Sequence, residues 1–286
     1  MGVEVESFFH AATNTITYLL SEPKSKQAAI IDSVLDFDPA SGRVETASAK
    51  ALADHIENRD LEVVYILETH LHADHLTAAQ YLKERLGGQI GIGAEVSKVQ
   101  ESFGAVMNAG HDFKTDGSQF DILLGDDDRL PLGDQKITVM QTPGHTPACV
   151  TYLVDGAAFV GDAIFMPDMG SARCDFPGGC ARTLFQSIGR ILALPPETRI
   201  LVGHDYGPGG REIAWQTTVA EQIRDNIHVK AGSSEEDFVD MRRARDATLD
   251  MPRLLLPSVQ VNMRAGALPL PEDNGVSYLK LPINQF

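Results

Sequence analysis

The sequence predicts an α/β fold whose strands deliver metal-ligand residues to one place. Two observations predict it. Strand-like runs alternate with helix-patterned segments through the first third of the chain. Histidine or aspartate also stands directly after four of the predicted strands, three times beside a glycine. Open α/β sheets bind ligands outside the carboxyl ends of their strands, where these residues fall.

The elements follow from local pattern. Residues 15–20 and Gln27–Ile31 read as strands. Residues 46–58 read as a helix, with Thr46 as its cap and Leu52, His55 and Ile56 along one face. The run Glu62–Leu67 fits a buried strand, and a helix over 76–86 stops at Gly87-Gly88. Short β-like runs follow at 136–141, 149–154 and 157–160, and Asp155-Gly156 between the last two signals a hairpin. Residues 182–192 read as a helix ended before Pro195-Pro196, and 199–202 as another strand. Beyond Gly207-Pro208-Gly209-Gly210, residues 212–230 and 234–249 are helical in pattern, the second with Ser233 and Glu236 as a capping box. The tail, with Pro252, Pro257, Pro269 and Pro271, reads as extended chain packed over the main body. This gives one catalytic domain, residues 1–210, and a helical C-terminal extension, residues 211–286, packed on it.

Composition sets the outer limits. The chain has 286 residues, long enough to bury a core and exclude water from a site. With 24 basic and 40 acidic side chains its formal charge is −16. That argues against a nucleic-acid binder and against a polybasic membrane surface. The start, Met1-Gly2-Val3-Glu4-Val5-Glu6, has neither a basic stretch nor an apolar run, so no signal peptide is expected. The Met-Gly pair hints at myristoylation, but Glu6 stands where that motif has Ser or Thr. No apolar stretch approaches the roughly 18 residues of a membrane span. The expectation is a cytoplasmic protein, with a homodimer as the default assembly. Three cysteines do not make a disulfide framework. Cys149 lies in a strand-like run and reads as a small core residue. Cys174 and Cys180 lie in a Gly/Pro-rich loop, where redox activity would require an electropositive pocket.

The chemistry concentrates in Thr69-His70-Leu71-His72-Ala73-Asp74-His75, where a buried strand gives way to a helix. Imidazole nitrogens and carboxylate oxygens are ligands for Zn²⁺ or Fe²⁺. Positions i and i+2 of an extended segment share a face, so His70 and His72 can converge. Asp74 and His75 then fall at the mouth of the following helix. Thr142-Pro143-Gly144-His145-Thr146, Gly161-Asp162 and Gly203-His204-Asp205 add three more strand-end placements, each beside a glycine that lets the backbone bend close. His10, His55, His111 and His228 stand alone, and ordinary structural or solvent roles are expected of them.

The order HxHxDH, GHT, GD and a late histidine, over residues 70–204, resembles the metallo-β-lactamase fold superfamily, an αββα sandwich of two sheets between helices. Matched residue by residue, the resemblance implies His70, His72 and His145 at one metal position. It implies Asp74, His75 and His204 at a second, with Asp162 bridging. Within the superfamily the chain looks most like the persulfide dioxygenases, over nearly its whole length. The stretches that carry this are residues 69–75, Arg173-Cys174-Asp175-Phe176, Gly178-Gly179-Cys180-Ala181-Arg182-Thr183-Leu184, His204-Asp205-Tyr206 and Asn262-Met263-Arg264. That family implies one Fe(II) per chain, held by His70, His145 and Asp162. His72, Asp74, His75, His204 and Asp205 would then stand behind the ligands and orient them. Two imidazoles and a carboxylate on one face of iron form the facial triad of non-haem oxygenases.

The implied reaction takes glutathione persulfide, O₂ and water to sulfite and glutathione. Glutathione carries two carboxylates and an ammonium, so its site should offer local cations. Arg173, Arg182, Arg211 and Arg264 are the candidates, with Tyr206 as a hydrogen-bonding partner. On a chain of charge −16 these arginines must create a local positive patch. Two other readings stay open. A glyoxalase II-like thioester hydrolase with two zinc ions would use all seven ligands, although residues 163–173 lack the Gly-Cys-Gly-Arg run of that family. The other is a metal-binding or redox-sensing protein without turnover.

Overall fold

A computed structural model describes residues 2–285; Met1 of the Met-Gly start and Phe286 lie outside the described residues. In chain order the first elements are β1 (Glu4–His10), β2 (Thr15–Ser21), β3 (Gln27–Ile31), β4 (Val34–Asp38), β5 (Arg43–Glu45), α1 (Ala47–Asn58), β6 (Glu62–Leu67), β7 (Leu76–Thr77), α2 (Ala79–Leu86), β8 (Gln89–Gly93) and α3 (Val96–Val106). Then come β9 (Ile122–Leu124), β10 (Arg129–Leu132), β11 (Gln135–Gln141), β12 (Val150–Val154), β13 (Ala157–Phe159), α4 (Ala181–Leu192), β14 (Arg199–Leu201), β15 (Gln216–Thr218), α5 (Val219–Asp225), α6 (Glu235–Asp246) and α7 (Leu255–Asn262). One sheet runs β1-β2-β3-β6-β8-β9 and a second runs β10-β11-β12-β13-β14-β15, with β5-β4-β7 as a small side sheet.

The two faces of each strand account for the layering. In β2, Ile16, Tyr18 and Leu20 join a core between the sheets, while Leu19 joins the outer core. In β3, Ala29 and Ile31 face inward, and Ala28 and Ile30 outward. The second sheet divides alike: Ala157, Phe159 and Leu201 inward, Ala158 and Ile200 outward. Helices α1, α2, α3 and α7 close the first outer core, and α4 with Phe238 of α6 closes the other. Strands buried on both faces read as unbroken apolar runs, which is why periodicity alone does not reveal the sandwich. Phe159 lies between the sheets at 1% exposure, and its truncation to alanine should cost about 3–5 kcal/mol. In α4, Leu184, Ser187, Ile188 and Ile191 form the single buried stripe of an amphipathic helix. Asp155 and Gly156 both take positive φ between Val154 and Ala157, the type I′ hairpin that the sequence signalled.

Several elements differ from the sequence expectation. Leu76 and Thr77 pair with β4 before α2 begins at Ala79, so the helix expected from 76 starts later. Residues 212–230 are not one helix. Thr217 and its neighbours form β15 on the edge of β14, and α5 starts after it behind a Thr218–Glu221 capping box. The cap of α6 is Ser234, which accepts the Asp237 amide at 3.1 Å, one residue beyond the expected Ser233. The tail is not all extended, because residues 255–262 form α7 with Pro257 in its first turn, where proline is tolerated. Among the described residues no helix is long and apolar enough to cross a membrane.

Candidate metal centre

Both sheets contribute to one site. Residues 69–75 follow β6 of the first sheet; His145, Asp162 and His204 follow β11, β13 and β14 of the second. The close approach needs glycine at Gly161, which has a φ of +49°; a Cβ there would overlap the Thr69 hydroxyl.

His70, His145 and Asp162 each bring a ligand atom within 4.8 Å of the others, and so do His72, Asp74, His75 and His204. Asp162 faces both groups. Its Oδ2 lies 3.9 Å from His70 Nε2 and 3.8 Å from His145 Nε2, and its Oδ1 lies 3.4 Å from His204 Nε2. Asp74 Oδ2 is 3.2 Å from the same His204 nitrogen.

Several rings are held by one nitrogen and keep the other free. His145 Nδ1 donates to the Arg173 carbonyl at 2.8 Å, and His204 Nδ1 to the Asn14 carbonyl at 3.2 Å. His70 Nδ1 donates to Thr69 Oγ1 at 3.0 Å, since that hydroxyl gives its own proton to Asp32. His72 is reversed: Nε2 meets Asp32 Oδ1 at 3.0 Å and Glu68 Oε2 at 3.1 Å, which leaves Nδ1 free. Such partners fix the tautomer, and hence the atom offered to a metal.

The chemistry of the free atoms fits a cation. His70 Nε2, His72 Nδ1, His75 Nε2, His204 Nε2, Asp74 Oδ2 and Asp162 Oδ1 are buried without a hydrogen-bond partner among the described residues. Orphaned buried polar atoms are costly, and one or two divalent ions would satisfy this set together. Protonation agrees. Burial, with His72 and His145 alongside, pushes the His70 pKa well below its ordinary value, and burial lowers His75 to about 4. Burial opposes ionisation of Asp74, but His204 and His75 outweigh it and hold the carboxyl well below its usual range. Neutral imidazole and ionised carboxylate are the forms that bind metal.

A cavity of about 610 Å³ opens on this centre, with Asp74, His145 and Asp162 in its lining beside Phe165, Phe176 and Tyr206. Tyr206 stacks over His204, ring centroids 6.2 Å apart. Arg173 also lines the cavity, but Asp175 grips its Nε and Nη2 at 2.6 and 2.7 Å and the Asp250 carbonyl takes Nη1. The other three expected substrate arginines lie elsewhere, Arg211 against Asp168 and Asp205. Arg182, in the first turn of α4, pairs with Glu235 and lines a separate cavity with Cys174 and Cys180. Arg264 packs on the Phe113 ring and donates to the Gln260 carbonyl at 2.6 Å. The physical reason is the unforeseen α7, which turns Asn262 toward the ligand segment and Arg264 away from it. Asp205 is fully buried, where it accepts Arg211 and the Ala214 amide, so it holds its own loop.

Sequence reasoning gave no role to Asp32, Glu68 or Asn262, nor to the arginines Arg242, Arg245 and Arg253 that line the cavity. Asp32 could have been found: it follows β3 as the other acidic and imidazole groups follow their strands. His10, expected to be ordinary, lines the cavity and bonds Asp36 at 3.1 Å. His228 accepts the Ser171 amide at 2.9 Å, a structural role.

Residues 17–204 match the Metallo-beta-lactamase superfamily. The chain is 58% identical to a protein of Burkholderia pseudomallei named as a probable metallo-hydrolase, over 98% of this chain and 99% of that one. It is 47% identical to glyoxylase B2 of Dictyostelium discoideum, over 98% and 97%. It is 29% identical to the human mitochondrial persulfide dioxygenase ETHE1, over 92% and 88%. The crystal structure of ETHE1 from Myxococcus xanthus superposes with a TM-score of 0.74 and 28% identity, covering 92% of this chain and 100% of that one.

Proposed function

The chain belongs to the metallo-beta-lactamase superfamily, and from that premise we propose that it is a persulfide dioxygenase acting on glutathione persulfide. The observation that carries this reading is the grouping of His70, His145 and Asp162 beside a cavity large enough for a tripeptide thiol. Two imidazoles and one carboxylate are the ligand set of non-haem Fe(II) oxygenases. A ferrous ion held there supplies the redox capacity by which O₂ oxidises the terminal sulfur. The balance is one persulfide, one O₂ and one water to one glutathione, one sulfite and two protons. The likeness to ETHE1 over most of both chains supports the choice.

The chain's own share is binding, orientation and dryness. The Arg173 carbonyl aims His145. Phe165 and Phe176, both buried, keep water from the inner cavity. Arg245 and Arg253 line the cavity with no ion pair among the described residues, so their charge is free for substrate carboxylates. Asp36, Asp38 and Glu45 line it too and suit an ammonium. A zwitterionic thiol therefore finds partners of both signs on a chain whose net charge is −16.

A dinuclear zinc thioester hydrolase is the second reading. The convergence of His72, Asp74, His75 and His204 favours it, as do the hydrolase and glyoxylase names of two relatives. The test is to purify the protein without oxygen, measure iron and zinc, and follow O₂ uptake with glutathione persulfide. Iron with O₂ uptake is expected. Zinc with thioester hydrolysis and no O₂ uptake overturns the dioxygenase.

A further inference from the structure

We propose that Asp246, with its partner Arg242 on α6, is a positioning residue for His145, acting through a single peptide group. The inference rests on His145 being a metal ligand, as proposed above, and not on which reaction follows.

Asp246 Oδ2 accepts the Cys174 amide at 2.9 Å. The carbonyl of that same peptide unit belongs to Arg173, and it accepts His145 Nδ1 at 2.8 Å. A peptide is planar, so holding its N–H fixes the direction of its C=O. A carboxylate on the N–H side also polarises the carbonyl, and hydrogen bonds in such a chain strengthen one another. The imidazole then sees a firmer acceptor at Nδ1, which sets its tautomer and makes Nε2 a better donor to a metal. The result is a carboxylate–histidine pair with one peptide inserted between its members.

Arg242 steadies the other side. It pairs with Asp246 and donates to the Ser171 carbonyl at 3.0 Å, so residues 171 and 174 are both tied to α6. Arg242 is 1% exposed and Asp246 7%. Apolar residues of similar volume serve stability as well as a buried ion pair does, so stability alone does not explain the pair. Both residues lie beyond the span 17–204 that the superfamily matches.

Two double variants isolate the relay, with Co(II) as the probe metal. Arg242→Met with Asp246→Asn keeps an oxygen for the Cys174 amide; Arg242→Met with Asp246→Leu removes it. The first should bind Co(II) close to the parent's affinity, with the parent's visible absorption band. The second should bind about 10-fold more weakly or worse, with a shifted band, as loss of a ligand's supporting partner does. Equal affinities and identical bands in two folded variants overturn the relay. His145→Ala is the control: if it binds Co(II) as the parent does, the ligand assignment has failed rather than the relay. Should the leucine variant not fold, amide exchange in the unaltered protein decides. The Cys174 amide should exchange as slowly as the sheet core, and loop-like exchange overturns the proposal.

Discussion

Asn262 donates its side-chain amide to the main-chain carbonyl of His75 at 2.8 Å, across 187 positions of sequence. The same nitrogen reaches the His72 carbonyl at 2.8 Å, and the side-chain oxygen accepts the Thr77 amide at 2.9 Å. One buried residue of α7 thus satisfies three backbone groups of the segment that carries the ligands. Asn262→Ala should leave those groups unpaired, at about 1–3 kcal/mol each before relaxation. Urea denaturation should show a loss of about 3 kcal/mol; a loss under about 1 kcal/mol contradicts this account.

Asp162 spans both ligand groups, whereas Asp74 touches only the second. Under the mononuclear reading, Asp162→Ala and His145→Ala lose bound iron while Asp74→Ala keeps most of it. Metal analysis after anaerobic purification checks this. If Asp74→Ala is as empty as Asp162→Ala, the single-iron assignment is wrong.

Arg245 and Arg253 bring unspent charge to the cavity. Changing both to alanine should raise KM for glutathione persulfide by about tenfold and leave kcat near the parent's, since roughly 1.4 kcal/mol of partly screened binding is removed. The effect should shrink as salt is added. A fall in kcat at constant KM places these arginines in another role.

His228 accepts the Ser171 amide through Nδ1 and can do so only unprotonated. Burial, with Arg242 and Arg245 nearby, lowers its pKa to about 4, against about 6.5 in an unfolded chain. Between those values the unfolded chain takes up a proton and the folded one does not. Its contribution is therefore complete above about pH 6.5 and is lost as pH falls toward 4. The parent's urea midpoint should decline more steeply over that window than that of His228→Asn, which offers an acceptor that does not titrate. Parallel curves contradict the assignment.

The three thiols should separate under iodoacetamide near neutral pH. Cys180 is exposed, and hydrogen bonds from Thr183, aided by Arg182, lower its pKa. Burial pushes Cys149 up to about 12 and raises Cys174 as well. Mass spectrometry should find Cys180 modified first, with the other two protected until the chain unfolds. Early labelling of Cys174 would show that its loop opens.

What could be read from the sequence was local. The bounds of β3 and β6, the Asp155-Gly156 hairpin and the strand-end placements of His70, His145, Asp162 and His204 depend on neighbours in sequence. What escaped depends on distance. Nothing near Asn262 shows that it reaches a turn at residue 75. Choosing between Asn262 and Arg264 requires the phase of a helix, at about 100° per residue, and the prolines suggested no helix there. The cap of α6 shifted by one residue because Ser233 and Ser234 are both suitable, and packing selects between them.

The contact between Asn262 and residues 72–77 also sets an order in time. During synthesis at about 5–20 residues per second, roughly 5–20 s separate the emergence of Asp162 from that of Asn262. Through that interval the nascent chain holds the proposed ligands without the side chain that fastens their turn. The ion pocket is therefore completed only once α7 has emerged. An abandoned translation product that stops before α7 carries the histidines but not the finished pocket, and so makes a poor scavenger of metal.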